Sequence, residues 1–235
     1  MATTTHAPTV RQVTISISGA LVRGELIIPE SAFGIVILGF PTGNTRSNPK
    51  HQRLTSVLVD AGLATLFCDL LTEEESPLAD LTGEFRNDVP LLSARLTGLV
   101  DWCHAQPELA TLPIGVLGVG AASAAAFITA AHRKLSVRAL AVRSGRMDLA
   151  WSALRRVEAP VLLVCGEKDY AMREAFAMCL PAIKAAEKEV ALIPRAGEVF
   201  SDPVALDEYA GIVSNWFANH LSRSEPVVGW RSEVC

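Results

Sequence analysis

The chain alternates short, almost unbroken apolar runs with longer stretches in which apolar residues recur every three or four positions. Runs such as Ile35-Val36-Ile37-Leu38 and Val161-Leu162-Leu163-Val164 keep no polar position for a solvated face, as in parallel strands covered by helices on both sides. They predict strands over 34–39, 63–68, 113–117, 137–142, 160–165 and 188–193. Helical spacing in the intervening stretches predicts helices over 48–61, 87–105, 121–132, 173–186 and 204–221. In the second of these, Leu92, Leu96, Leu99, Val100 and Cys103 fall on one stripe. Ahead of them, the runs 13–17 and 21–28, separated by Ser18-Gly19-Ala20, read as a hairpin. The pattern therefore predicts an α/β fold, a doubly wound, mostly parallel sheet with an N-terminal antiparallel hairpin. Its sites are expected beyond the C-terminal strand ends. Residues 1–10 read as a loose arm, 11–222 as one domain and 223–235 as a tail.

Composition narrows the function classes. Half of the 235 residues are hydrophobic but only 6% are aromatic, so the core must be built mainly from Ala, Leu and Val. A net charge of −4 argues against nucleic acid as a partner. No apolar stretch approaches the roughly 20 residues needed to span a bilayer, and the N-terminal residues lack the basic and apolar regions of a secretory signal. A cytoplasmic protein with no membrane partner is expected. The five cysteines are scattered without a C-x-x-C pair and the five histidines lack H-x-x-x-H spacing, so neither a disulfide framework nor a metal site is expected. Gly115-Val116-Leu117-Gly118-Val119-Gly120 does not have G-x-G-x-x-G spacing, and no organic cofactor is expected.

The candidate chemistry lies at the strand ends. The apolar strand 113–117 runs into Gly118-Val119-Gly120-Ala121-Ala122 and then a small-residue helix, the strand–turn–helix joint at which a nucleophile elbow reads G-x-S-x-G. Glycine holds the central position. Ser123, three residues on, lies about one turn inside the helix and is expected to bond a helix carbonyl rather than to attack a substrate. The loop Gly39-Phe40-Pro41-Thr42-Gly43-Asn44-Thr45-Arg46 can aim amides at an oxyanion or phosphate, or can serve as a plain connection. Asp69 can hold Arg46 or cap a loop, and the glutamates 73–75 read as a solvated face. Arg143 and Arg146 can bind an anionic substrate, or can pair structurally with Asp69 and Asp148. Cys68 and Cys165 are expected to be packing residues, and His220 is expected on the exposed side of the last helix.

With these segments in view, the chain resembles the dienelactone-hydrolase-like branch of the α/β-hydrolases over nearly its full length. The resemblance is carried by Leu66-Phe67-Cys68-Asp69-Leu70-Leu71-Thr72-Glu73-Glu74-Glu75, by Asp101-Trp102 with Ala105-Gln106-Pro107, by Leu112-Pro113-Ile114-Gly115 and Gly118, by 143–150, and by the strand and turn 160–169. It implies an oxyanion loop of the form H-G-S-G-S-S-R, an elbow G-A-S-T-G, an acid after a late strand and a T-H-x-F histidine turn. Here these read Phe40-Pro41-Thr42-Gly43-Asn44-Thr45-Arg46, Gly118-Val119-Gly120-Ala121-Ala122, Asp169, and Gly197-Glu198-Val199-Phe200. Only Asp169 matches, so the acyl-transfer mechanism is not implied.

What remains is a pair of carboxylates, Asp169 and Glu198, where the family's acid and base stand. In a partly desolvated pocket two such groups cannot easily ionise together, and the pair can move protons near neutral pH. The expected function is a non-hydrolytic proton transfer on a small molecule, an isomerisation, cyclisation, dehydration or lyase step. Glu198 and Asp169 would be catalytic, and Gly120, Phe40, Asn44, Arg143 and Val119 would bind the substrate. A catalytically dead small-molecule binder or structural protein is the alternative, and a hydrolase using Glu198-activated water is the third. Glu198 paired with Arg195 on the surface is the non-functional reading of that residue. Homo-oligomerisation is left open.

Overall fold

The computed structural model describes residues 7–41, 48–200 and 202–222. An N-terminal hairpin, β1 (Thr9–Ile17) and β2 (Ala20–Ile28), is followed by β3 (Gly34–Phe40), α1 (Pro49–Asp60), β4 (Leu63–Asp69), α2 (Glu75–Thr82) and α3 (Val89–Ala105). Then come β5 (Ile114–Val119), α4 (Ala122–His132), β6 (Val137–Arg143), a 3₁₀ turn (Met147–Ala150) running into α5 (Trp151–Leu154), and β7 (Val161–Gly166). The chain closes with α6 (Tyr170–Cys179), a 3₁₀ turn (Leu180–Ala182), β8 (Lys188–Ile193) and α7 (Pro203–Leu221).

The eight strands form one sheet in the order β1-β2-β4-β3-β5-β6-β7-β8. The pairings β1–β2 and β2–β4 are antiparallel, and every later pairing is parallel. Strand order reverses at β3, which lies between β4 and β5; in open α/β sheets ligands bind outside the strand ends at such a switch point. Every residue of β3, β4, β5 and β7 is buried, as their unbroken apolar runs require. One face packs under α1 and α7 through Leu38, Leu117, Ala141, Val164 and Phe217. The other packs under α3, α4 and α6 through Ile37, Val116, Leu140, Leu96 and Phe127. No helix among the described residues is long and apolar enough to cross a membrane.

Helix starts follow their capping residues. Asn48, Asp88, Asp169 and Asp202 each accept an amide of the first turn of α1, α3, α6 and α7, satisfying donors that the helix itself leaves free. The cap at Asp169 explains why α6 begins at Tyr170, earlier than the predicted 173. Pro181, which has no amide hydrogen, ends it well before the predicted 186. The sequence pattern missed α2 altogether, and β1 starts at Thr9, two residues inside the segment read as a loose arm. By contrast α4 begins at Ala122 behind Ala121 with no side-chain cap.

Candidate functional site at the strand ends

At the end of β5 the backbone turns sharply at Gly120, whose φ of +61° is in the left-handed region. Its N–H donates to Arg143 O at 3.2 Å and its carbonyl accepts from Ser123 N–H at 3.0 Å. A Cβ placed on Gly120 would meet nothing within 4 Å, so a side chain here would project into open space. The two glycines around it are constrained differently. A Cβ on Gly118 would fall 2.6 Å from Ala122 O, and one on Gly145 would fall 2.0 Å from Gly120 O. These contacts let α4 and the β6 loop close tightly on the turn.

Ser123 is fully buried, and its hydroxyl donates to Ser144 O at 2.7 Å and to Gly118 O at 3.3 Å. Its partners are strand-end carbonyls, not the helix carbonyl expected, because α4 lies directly over the ends of β5 and β6. The hydroxyl therefore ties the elbow to the β6 loop and points away from open space.

Two strands further along, the turn after β7 is laced to the loop after β8. Glu167 N–H donates to Ile193 O and Lys168 N–H to Ala196 O, both at 2.9 Å, while Arg195 N–H donates to Glu167 Oε2 at 2.8 Å. Gly166 permits this approach: a Cβ there would lie 2.3 Å from Gly197 O. Asp169 Oδ1 accepts from Met172 N–H at 3.1 Å, and its Oδ2 is buried with no hydrogen-bond partner. Glu198 is exposed. It bonds neither Asp169 nor Arg195, and the surface pair with Arg195 does not form.

Arg143 ends β6 on the α7 side of the sheet. Its guanidinium carbon lies 5.2 Å from the Phe200 ring centroid and 5.6 Å from that of Tyr209, within cation–π range. Among the described residues it makes no ion pair, and its Nε is buried without a partner. Arg146 instead forms the predicted fork with Asp148, at 2.7 and 2.8 Å. Tyr209 is 2% exposed and its hydroxyl also lacks a partner. Burial pushes that phenol up to about 12 against the opposing pull of Arg143, so it stays protonated and neutral. The sequence reading passed over Tyr209. The available signal was a tyrosine set among the apolar positions of α7, where a phenol is forced inward.

The other candidates separate. Phe40 is buried in a stack with His51 and Phe67, at centroid distances of 4.0 and 4.8 Å, and Val119 is 9% exposed on the same side of the sheet. Asn44, with Arg46, lies outside the described residues. Cys68 and Cys165 are buried and form no disulfide among the described residues, as expected of packing residues, and burial pushes the Cys165 thiol up to about 11. His220 departs from expectation. Its side chain is only 6% exposed, with Nδ1 2.8 Å from Trp216 O and Nε2 2.8 Å from Glu187. Glu75 departs too: it turns inward to Arg95 instead of lining a solvated face.

The sheet order, the left-handed turn after β5 and the laced loops after β7 and β8 define an α/β-hydrolase fold. A dienelactone hydrolase from Anabaena variabilis is 37% identical and superposes with a TM-score of 0.87, covering 92% of this chain and 100% of that one. The chain belongs to the dienelactone hydrolase family. A cold-adapted esterase from an Arctic intertidal metagenomic library superposes at 0.71 with 13% identity over 94% of this chain and 98% of its own, a likeness of fold alone. Two Mycobacterium tuberculosis proteins, each named "Putative phosphoribosyl transferase", are 35% identical over 205 residues, 87% of this chain and 45% of theirs. The chain thus spans a little under half the length of these curated relatives. No protein-family profile matches it.

Proposed function

We propose that this protein keeps the hydrolase frame with Gly120 in place of the nucleophilic serine and Glu198 in place of the histidine. On this reading it moves a proton on a small molecule held over Gly120. The observation that carries the reading is Asp169 Oδ2, a buried carboxylate oxygen without a partner at the position the family gives its acid. A carboxylate whose second oxygen already holds a helix amide is fixed in orientation, and its free oxygen is available as a general base. Open space over Gly120 accommodates a substrate without attacking it. Arg143, which pairs with no carboxylate among the described residues, would stabilise negative charge that develops as the proton leaves. Glu198, exposed on the laced loop, would return the proton from the mouth of the site. An isomerisation, cyclisation, dehydration or lyase step fits this set of groups.

A second reading, binding without turnover, is favoured by the exposure of Glu198, since a solvated carboxylate lacks the desolvation that makes such a pair share a proton. Phosphoribosyl transfer, the activity in the curated relatives' name, belongs to chains about twice as long. The dienelactone hydrolase matched over its whole length supports a hydrolase-type site for this part.

The test is mass spectrometry of a metabolite extract incubated with wild type, Asp169→Asn or Glu198→Gln. A compound consumed by wild type and spared by Asp169→Asn is expected, with a product of equal mass or lighter by one water. A product heavier by one water would restore hydrolysis. A compound that is retained by all three forms and never consumed would establish the binder.

A further inference from the structure

We propose that the groove between α1 and the N-terminal hairpin is a binding site for a small organic amine, an apolar body that carries one ammonium group. The groove is separate from the turn at Gly120, and the proposal does not depend on the chemistry proposed there.

The sheet register builds one wall. On the face turned towards α1, Val10, Ile27 and Thr65 form one row across β1, β2 and β4, and Gln12, Glu25 and Phe67 form the next. Helix α1 covers β4 but not the hairpin, and no residue of β1 or β2 joins the core on this face. A cavity of about 410 Å³ is left between helix and hairpin, a size that suits a small molecule. The other wall is the stripe of Gln52, Thr55, Ser56 and Val59, with Asp60 at its end, positions that share one side of a helix. Val10, Ile27, Val59 and Phe67 make the lining mostly apolar, and Val10 is left 54% exposed.

The charges decide which apolar molecule fits. Glu25 on the hairpin and Asp60 on α1 both line the cavity, and no lysine or arginine does among the described residues. The cations nearest along these elements are committed elsewhere: Arg23, one row beyond Glu25, to Glu73, and Arg53 to Asp207. Glu25 is half-buried and accepts from the neutral amide of Gln12 at 2.6 Å, while Asp60 accepts from Ser56 Oγ at 3.4 Å. A carboxylate partly withdrawn from water is stabilised by a cation within reach, and an anion would be repelled from both walls. Thr55 adds a third polar group. It is 5% exposed, lies between Gln52 and Val59 on the groove stripe, and its hydroxyl has no partner. A neutral apolar molecule would leave these groups as they are, whereas an ammonium brings three donors and no acceptor.

The test uses three probes that share a phenyl ring and differ in charge: phenethylamine, 2-phenylethanol and 3-phenylpropionate. Their binding is measured by titration calorimetry at low salt on wild type, Glu25→Gln, Asp60→Asn and Ser56→Trp. Phenethylamine should bind wild type at least about fivefold more tightly than the alcohol, and the carboxylate probe should bind most weakly. Its affinity should fall at least about threefold in each of Glu25→Gln and Asp60→Asn, the loss expected for one partly solvated charge pair. Ser56→Trp sets an indole into the groove from an exposed helix position and should abolish binding, which separates this groove from diffuse attraction of a cation to an acidic protein. Should that variant not fold, the two carboxylate variants decide. Equal binding of amine and alcohol, no binding of phenethylamine below about 10 mM, unaltered affinity in both carboxylate variants, or full binding by a folded Ser56→Trp overturns the proposal.

Discussion

Arg95 and Arg143 are both buried in part near strand ends, and the fold treats them in opposite ways. The side chain of Arg95 is 5% exposed and donates to Glu75 Oε1 and to Leu70 O, each at 2.6 Å. Glu75 is tied in turn by Thr72 N–H at 2.9 Å. Arg143 has two ring faces and, among the described residues, no carboxylate. A buried charge that serves packing is paired and hydrogen-bonded, because an unpaired one costs several kcal/mol. The contrast teaches that the fold commits Arg95 to packing and leaves the half-buried Arg143 without a carboxylate among the described residues.

Breaking the paired member gives the largest expected effect. Arg95→Ala strands the Glu75 carboxylate between α2 and α3 and should cost about 3–5 kcal/mol, or about 10 °C in melting temperature for a domain of this size. Thermal and urea unfolding measure this, and a loss under about 1 kcal/mol would mean that the pair does not anchor α2. Glu75→Gln sharpens the same point through pH. The hydrogen bond from Arg95 holds the Glu75 carboxyl below its ordinary range. Its stabilisation is therefore fully present above the unfolded pKa of about 4.3 and is lost as pH falls through the lower folded value. Wild type and Glu75→Gln should differ at pH 7 and converge towards pH 2; a gap that does not narrow would contradict the assignment. The smallest effect belongs to Arg143→Gln, which should change stability by no more than about 1 kcal/mol, the worth of an exposed or partly exposed cation–π contact. A cost above about 2 kcal/mol in urea unfolding would make Arg143 a structural residue after all.

The same contrast marks what the sequence could and could not reveal. Each predicted parallel strand is found within two residues, most of them because a strand buried on both faces leaves an apolar run that local pattern detects, whereas β1 starts four residues ahead of the predicted 13. The elbow was legible too: Gly118, Gly120 and Ala122 lie close together in the chain, and turn geometry is local. The inward turn of Glu75 was not, since its partner is 20 residues away and a cluster of three glutamates reads as solvated. His220 misled for a related reason. A histidine in the last turn of a helix looks exposed until Glu187, from before β8, comes across to cover it. Asp169 was read as an acid, and the structure adds that it caps α6; one residue can serve both ends, and only coordinates show the cap. The unpartnered atoms around Arg143 belong to no local pattern at all.

The three glycines of the strand ends also differ in what mutation can do with them. At Gly145 and Gly166 a single methyl would strike backbone at 2.0 and 2.3 Å, so any replacement there displaces a neighbouring loop. Gly120 alone faces empty space in a conformation already bent for a nucleophile. A serine there would meet no atom within 4 Å and would cost only the strain of the left-handed backbone. If the proposed reading holds, a lineage that gave up its serine at this joint kept the backbone on which to regain it, and kinship with hydrolases is here a matter of adjacency in sequence space as much as of descent.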